Sequence, residues 1–235
     1  MAMTRTNPDR NFFLTMTLLA LAVVIGGFAP TYYLKLWFGT PELKLSVHVH
    51  SILATAWCAL LVTQTVLIRK GRYDWHRILG MSGLAIAALM VITGYMVIIG
   101  KPRPTVASRA FIFTPMLGLL LFSIFVATAV YYRRNAAMHK RLMYLSLLFI
   151  VGAGMSRLLR LIGDNTLVHV HAHLHHYAVY VLLFLPVVIY DLVRLRKLHR
   201  ATVVGIAVHA LMHPLHFLVA FTPTWQRFAN WLTNG

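Results

Sequence analysis

Apolar residues fall into long runs separated by short polar segments, and the runs recur seven times along the 235 residues, at roughly 12–36, 46–68, 77–100, 109–132, 141–163, 175–195 and 202–222. Each is close to the ~20 mostly apolar residues that a helix needs to cross a bilayer. The pattern predicts an all-α polytopic membrane protein of seven transmembrane helices, a single transmembrane domain over residues 1–235 with only the ends and six short loops outside. Glycine and proline mark loops at "GTPELK" and "GKPRPTVASR", whereas "RKGRYDWHR", "YYRRNAAMHKR" and "RLRKLHR" read as short basic turns between antiparallel helices. Arg5 and Arg10 before the first run are what a signal peptide would carry. The run is longer than a typical h-region, however, and its small residues Gly27 to Ala29 lead straight into Pro30, so a retained helix is expected.

Composition agrees with this division. Hydrophobic residues make up 59% of the chain and charged residues 11%, which excludes a water-soluble fold of this size. The formal charge of +17 is interleaved with the spans rather than gathered in one patch, so a nucleic-acid partner is not expected. With the N-terminus inside, the inner segments hold fourteen basic residues: Arg5, Arg10, Arg69, Lys70, Arg72, Arg77, Arg133, Arg134, Lys140, Arg141, Arg194, Arg196, Lys197 and Arg200. The outer side holds eight: Lys35, Lys44, Lys101, Arg103, Arg109, Arg157, Arg160 and Arg227. The positive-inside rule therefore orients the chain N-terminus in and C-terminus out, with the basic segment Lys101 to Arg109 as the exception. Cys58 is the sole cysteine, which excludes an intrachain disulfide and any multi-thiolate metal site.

The three basic turns resemble one another, each closing on His-Arg or His-Lys-Arg at His76, His139 and His199. Separations of 63 and 60 residues suggest three helical hairpins following a lone first helix. These histidines serve either as helix-start polar residues that bond loop carbonyls and reach lipid phosphates, or as an inner site for an anionic headgroup or quinone ring. Asp191 is the sole acidic residue within a predicted span. It stands one turn before Arg194, and the spacing predicts a local ion pair between the two, with a proton relay as the sharper alternative.

The chemistry concentrates at the other end. "HVHAHLHHY" puts five of the thirteen histidines into residues 169–177, at the outer mouth of the sixth helix. The second helix enters from the same side and carries His48 and His50 in its first turns. The seventh runs outward with "HALMHPLH", whose His209, His213 and His216 are spaced i, i+4 and i+7 on one face. Imidazoles at membrane depth face an interior, a cavity or a partner. Pro214 removes one backbone bond, frees the carbonyl of Ala210 and is expected to kink the helix beside His213. The candidate metal ligands are accordingly His48, His50, His173, His175, His176, His209, His213 and His216.

An all-imidazole set suits a transition metal such as copper, zinc or iron, or haem b, rather than calcium or magnesium. Arg157 and Arg160, spaced i, i+3 near the outer end of the fifth helix, are candidate propionate partners for a haem and equally candidate lipid anchors. A solvated, pH-responsive strap is the bland alternative for the loop histidines, His169 and His171.

"HVHSILATAWCALLVTQTVLIRKGRYDWHRILGMSGL", "AAMHKRLMYLSLLFIVGAGMSR" and "PTWQRFANWL" resemble a large group of bacterial seven-helix integral membrane proteins of uncharacterised function. The likeness runs over nearly the whole chain and is strongest at His50, Trp57, Gln64, the His76-Arg77 and His139-Lys140-Arg141 turns, Arg157 and Asp191. It implies a multi-pass protein of the bacterial inner (plasma) membrane, with the lipid bilayer as partner. The richness in histidine of the sixth and seventh helices departs from that group, so no activity is carried over to them. The "HKRLM" turn is more distantly similar to one in oxidase-assembly membrane proteins, which implies metal or haem handling and a respiratory complex as partner by analogy. The first expectation is thus metal or haem binding in redox, handling or sensing. A non-enzymatic assembly factor or lipid sensor is the alternative, and a small-solute transporter the third. The paired histidine boxes of membrane iron oxygenases, a Ser-His-Asp arrangement and phosphate loops are not found.

Overall fold

The computed structural model describes residues 8–162 and 172–234. Among these the chain is all helical: α1 (Pro8–Phe28), α2 (Leu45–Arg69), α3 (Tyr73–Ile99), α4 (Val106–Phe111), α5 (Phe113–Tyr131), α6 (Ala136–Ile162), α7 (Ala172–Leu195), α8 (Arg200–Ala220) and α9 (Pro223–Asn234). Five stretches, Asp9–Tyr33, Leu45–Arg69, Tyr73–Ile99, Val106–Tyr131 and Ala136–Leu161, are long and apolar enough to cross a membrane. The two halves of α8, Arg200–Met212 and Pro214–Ala220, meet at 40° and make a sixth if counted as one span. The kink expected at Pro214 is thus present, where the missing N–H interrupts the helical ladder.

Helix boundaries depart from the hydropathy pattern in physically readable ways. The first helix changes to a π-helical turn at Ala29–Tyr33, where Pro30 cannot donate and the Leu34 N–H reaches the Ala29 carbonyl at 2.7 Å. The fourth run divides into α4 and α5, with a capping box at Thr105 and Ser108 starting the shorter piece. The basic "turns" are largely helix: His76 and His139 lie in the first turn or so of α3 and α6. His199 instead caps α8, its Nδ1 accepting the Ala201 N–H at 3.2 Å. All three histidines thus stand at helix starts, two within the opening turn and one as the cap.

Lipid offers apolar side chains no hydrophobic incentive to associate, so close packing and small residues hold such helices together. The central helix is α6, where Leu145, Leu147, Leu148 and Val151 are almost wholly buried. It packs on α1, α5, α7 and α8. Against α1 the backbones cross at Gly27 and Gly154, where a Cβ on Gly27 would overlap the Gly154 carbonyl. Against α8 a Cβ on Gly205 would meet Leu145 at 2.6 Å, so glycine lets that helix approach too.

The segment "PTWQRFANWL" forms a helix that hydropathy alone passes over. α9 turns back on α4: Trp225 Nε1 donates to the Arg109 carbonyl at 3.0 Å, and Arg109 Nε donates to Gln226 Oε1 at 2.8 Å. Phe228 and Trp231 stay exposed on its other side, as suits an interfacial amphipathic helix. This clasp accounts for Arg109, one of the basic residues in the segment that breaks the positive-inside count.

Candidate functional site

Polar side chains stand toward both ends of the bundle. At the histidine-rich end, His50 on α2 turns toward α3, its Nδ1 3.2 Å from both the Met90 carbonyl and Thr93 Oγ1. His48 lies beside Tyr32, ring centroids 5.7 Å apart. His209 is buried on α8, with Phe149 of α6 stacked on it at 4.3 Å and Phe184 of α7 edge-on at 4.7 Å. Its Nδ1 bonds the Gly205 carbonyl one turn back at 2.9 Å. His216, past the bend, sits with its Nδ1 3.0 Å from Thr114 Oγ1 on α5. The described part of the predicted stripe thus faces the bundle interior, but the bend directs its two ends to different neighbours.

The side chains of His173, His175, His176 and His213, with His169 and His171, lie outside the described residues. Among the described residues no three His, Cys, Asp or Glu side chains gather closely enough to hold a metal ion. Of the two arginines proposed for propionates, Arg157 lies over the Phe28 ring at 4.3 Å and donates to the Ala153 carbonyl. Arg160 is exposed and donates to the Ser156 carbonyl. A cavity of about 270 Å³ opens between α7 and α8 beside His209. Phe184, Leu185, Val188 and Ile206 give it apolar walls.

At the opposite end the structure corrects an expectation. Asp191 does not pair with Arg194; its partner is Arg141, from the "HKRLM" stretch of α6. Asp191 Oδ1 accepts Arg141 Nη2 at 2.6 Å and Nε at 3.0 Å, while Oδ2 accepts Thr202 Oγ1 at 2.6 Å and the His199 N–H at 3.0 Å. Asp191 and Thr202 are 0% exposed and Arg141 2%. A carboxylate so placed needs a desolvated cation and a full set of donors, which an arginine pointing outward at i+3 cannot supply. Arg194 instead approaches Asp9 on α1, at 3.9 Å, and Asp9 also receives Lys140 Nζ at 2.6 Å.

The network ties four helices at one level. It also sets a register. Arg141, Leu145 and Phe149 form one stripe on α6, and Thr202, Gly205 and His209 one stripe on α8. They meet in order, through Asp191, by close packing at Gly205 and by ring stacking. Over this network His199 lines a small cavity with Asp9, Lys140, Arg141, Tyr190 and Arg194. Burial holds the His199 imidazole below its ordinary value, and the nearby Arg141 guanidinium pushes the same way.

Sequence reasoning missed Asp9, Lys140, Arg141, Tyr190 and Thr202 as a group. The available signal was that a lone intramembrane acid calls for a fully buried cation, and the basic HKR triplet was the stretch able to supply one. No protein-family model matches the chain, and no curated protein or solved structure matches it either.

Proposed function

We propose that the protein is a seven-span member of the uncharacterised bacterial inner-membrane proteins it resembles, N-terminus in and C-terminus out, and that it binds a transition-metal ion through histidines of its outer half. The observation that carries this is His209. A buried imidazole whose Nδ1 is held by a backbone carbonyl is fixed in the Nδ1–H tautomer, with the lone pair on Nε2. That is the outer-shell arrangement that orients metal-binding histidines. Phe149 and Phe184 fix the ring plane and lower the local dielectric. His213 and His216 follow on the same helix, and the α7 mouth adds His173, His175 and His176. His50 and His48 supply the α2 side.

The adjoining cavity of about 270 Å³ lies just below the ~300 Å³ at which pockets for drug-sized ligands begin. That volume is small for haem b, so the ligand proposed is an ion of copper, zinc or iron. The role is redox chemistry, metal handling or sensing, with a respiratory complex as partner.

Elemental analysis and an absorption spectrum of the detergent-purified protein test this. A stoichiometric metal without a Soret band is expected, and it should be lost in His209→Phe, which keeps the aromatic stack but removes the nitrogen. A Soret band would replace the ion by haem. Neither signal after reconstitution with copper, zinc, iron and haem overturns the proposal and leaves the assembly role.

A further inference from the structure

The cavity at the Asp191 end measures about 260 Å³ and is lined by Asp9, Lys140, Arg141, Tyr190, Arg194 and His199, with Ala137 and Leu195 completing its wall. Three of these side chains are cations and one is an acid. Arg141 is committed to Asp191. Lys140 and Arg194 share the single Asp9 carboxylate, at 2.6 and 3.9 Å, so the mouth carries more positive charge than its own acid neutralises. Arg196, Lys197 and Arg200 flank it from the α7–α8 turn, all exposed.

Hydrogen bonding adds direction to this charge. His199 accepts the Ala201 N–H at Nδ1, so the neutral ring keeps its proton on Nε2 as a donor. Arg194 is 44% exposed and its ion pair among the described residues is the long contact to Asp9 at 3.9 Å, so its guanidinium can turn toward an arriving oxyanion. The turn itself is held tightly, with Arg196 at φ 58°, a left-handed conformation uncommon for a residue with a Cβ. Its N–H closes on the Leu192 carbonyl at 3.1 Å.

We propose that this cavity binds a phosphate group, borne either by an anionic phospholipid of the adjacent leaflet or by a soluble phosphate ester. Phosphate oxygens match a lysine point charge, a forked guanidinium and an imidazole N–H at once. Basic pockets between helices at headgroup depth are where anionic headgroups are held. The site is separate from the outer histidines and does not depend on them.

Native mass spectrometry of the detergent-purified full chain tests it, titrating phosphatidylglycerol, phosphatidylcholine and inorganic phosphate. Phosphatidylglycerol is expected to bind at one site and more tightly than the zwitterionic lipid. Arg194→Gln should weaken it about fivefold, the effect of one surface cation, while Arg134→Gln, an exposed cation elsewhere, leaves it unchanged. Asp9→Asn should tighten it, an effect that a merely damaged fold would not produce. Competition by inorganic phosphate would support the site with a soluble ester as ligand; lipid binding indifferent to phosphate would support a headgroup. Equal binding of both lipids with no response to Arg194→Gln or Asp9→Asn overturns the proposal.

Discussion

Replacing Asp191 by alanine removes four hydrogen bonds from a carboxylate with no solvent exposure. It leaves Arg141 charged and 2% exposed, with its bond to the Ala137 carbonyl at 3.1 Å remaining. Removing one member of a buried pair costs ~3–5 kcal/mol, because the other charge stays desolvated. At ~2–4 °C per kcal/mol for a chain of this size, the melting temperature should fall by roughly 6–20 °C. Thermal unfolding of the detergent-solubilised protein, followed by tryptophan fluorescence, reads this directly. The variant Arg194→Ala is the control: an exposed ion pair is worth ~0–1 kcal/mol, so its melting temperature should barely move. Arg141→Met with Asp191→Leu removes both charges together and should recover much of the loss, less ~1–3 kcal/mol for the Thr202 hydroxyl and His199 N–H left without an acceptor. If Asp191→Ala melts within 2 °C or so of the parent, or if the double variant loses the sum of its parts, the pair is not the anchor described here.

Two further outcomes follow from the geometry. Gly27→Ala should destabilise by ~1–3 kcal/mol, since its Cβ overlaps the Gly154 carbonyl at the α1–α6 crossing. Gly26→Ala, whose Cβ meets Leu158 at an ordinary 3.7 Å, should be neutral or stabilising by ~0.5–1 kcal/mol; equal melting temperatures for the two would refute the crossing. At His199 the folded-state value is depressed, so the unfolded chain binds the proton more readily. Its contribution is present above the ordinary imidazole range and is lost as pH falls below it. Melting temperatures between pH 8 and 5 should decline less steeply in His199→Asn, which keeps an N-cap without a titrating ring; parallel curves would contradict that assignment.

The helices were legible because a bilayer imposes one length on apolar runs, and all seven runs coincide with helical segments. Interruptions followed stereochemistry that is readable locally, at Pro214 and equally at the pause at Ile112, where Pro115 cannot donate to the Phe111 carbonyl, although only the first of these two prolines was read as a break. α9 was overlooked because its apolar residues are spaced around one face and interrupted by Gln226, Arg227 and Asn230, so no continuous run announces it. The Asp191 partner was misassigned for a different reason. Sequence spacing ranks neighbours along one helix, but the energetic demand of a buried carboxylate is set by desolvation, and Arg141 lies 50 residues away. The inward placement of His209 was legible from amphipathic spacing; its Phe149 and Phe184 neighbours required the packing of three helices.

The charged end bears on the placement of His209, because α8 carries residues of both ends. Thr202 is pinned to Asp191, and His209 follows seven residues later, about 10 Å along the axis at 1.5 Å per residue. Gly205 between them packs on Leu145, where a Cβ would not fit. The depth and rotation at which His209 is presented are therefore fixed from the charged end, where hydrogen bonds are directional, rather than from the apolar end, where they are few. Beyond His209 the 40° bend releases that constraint, and His216 takes its orientation from Thr114 on α5 instead. In the proposed metal site the two histidines would thus be held independently of each other. It also means that loss of the Arg141–Asp191 pair should disturb the His209 end of such a site before the His216 end.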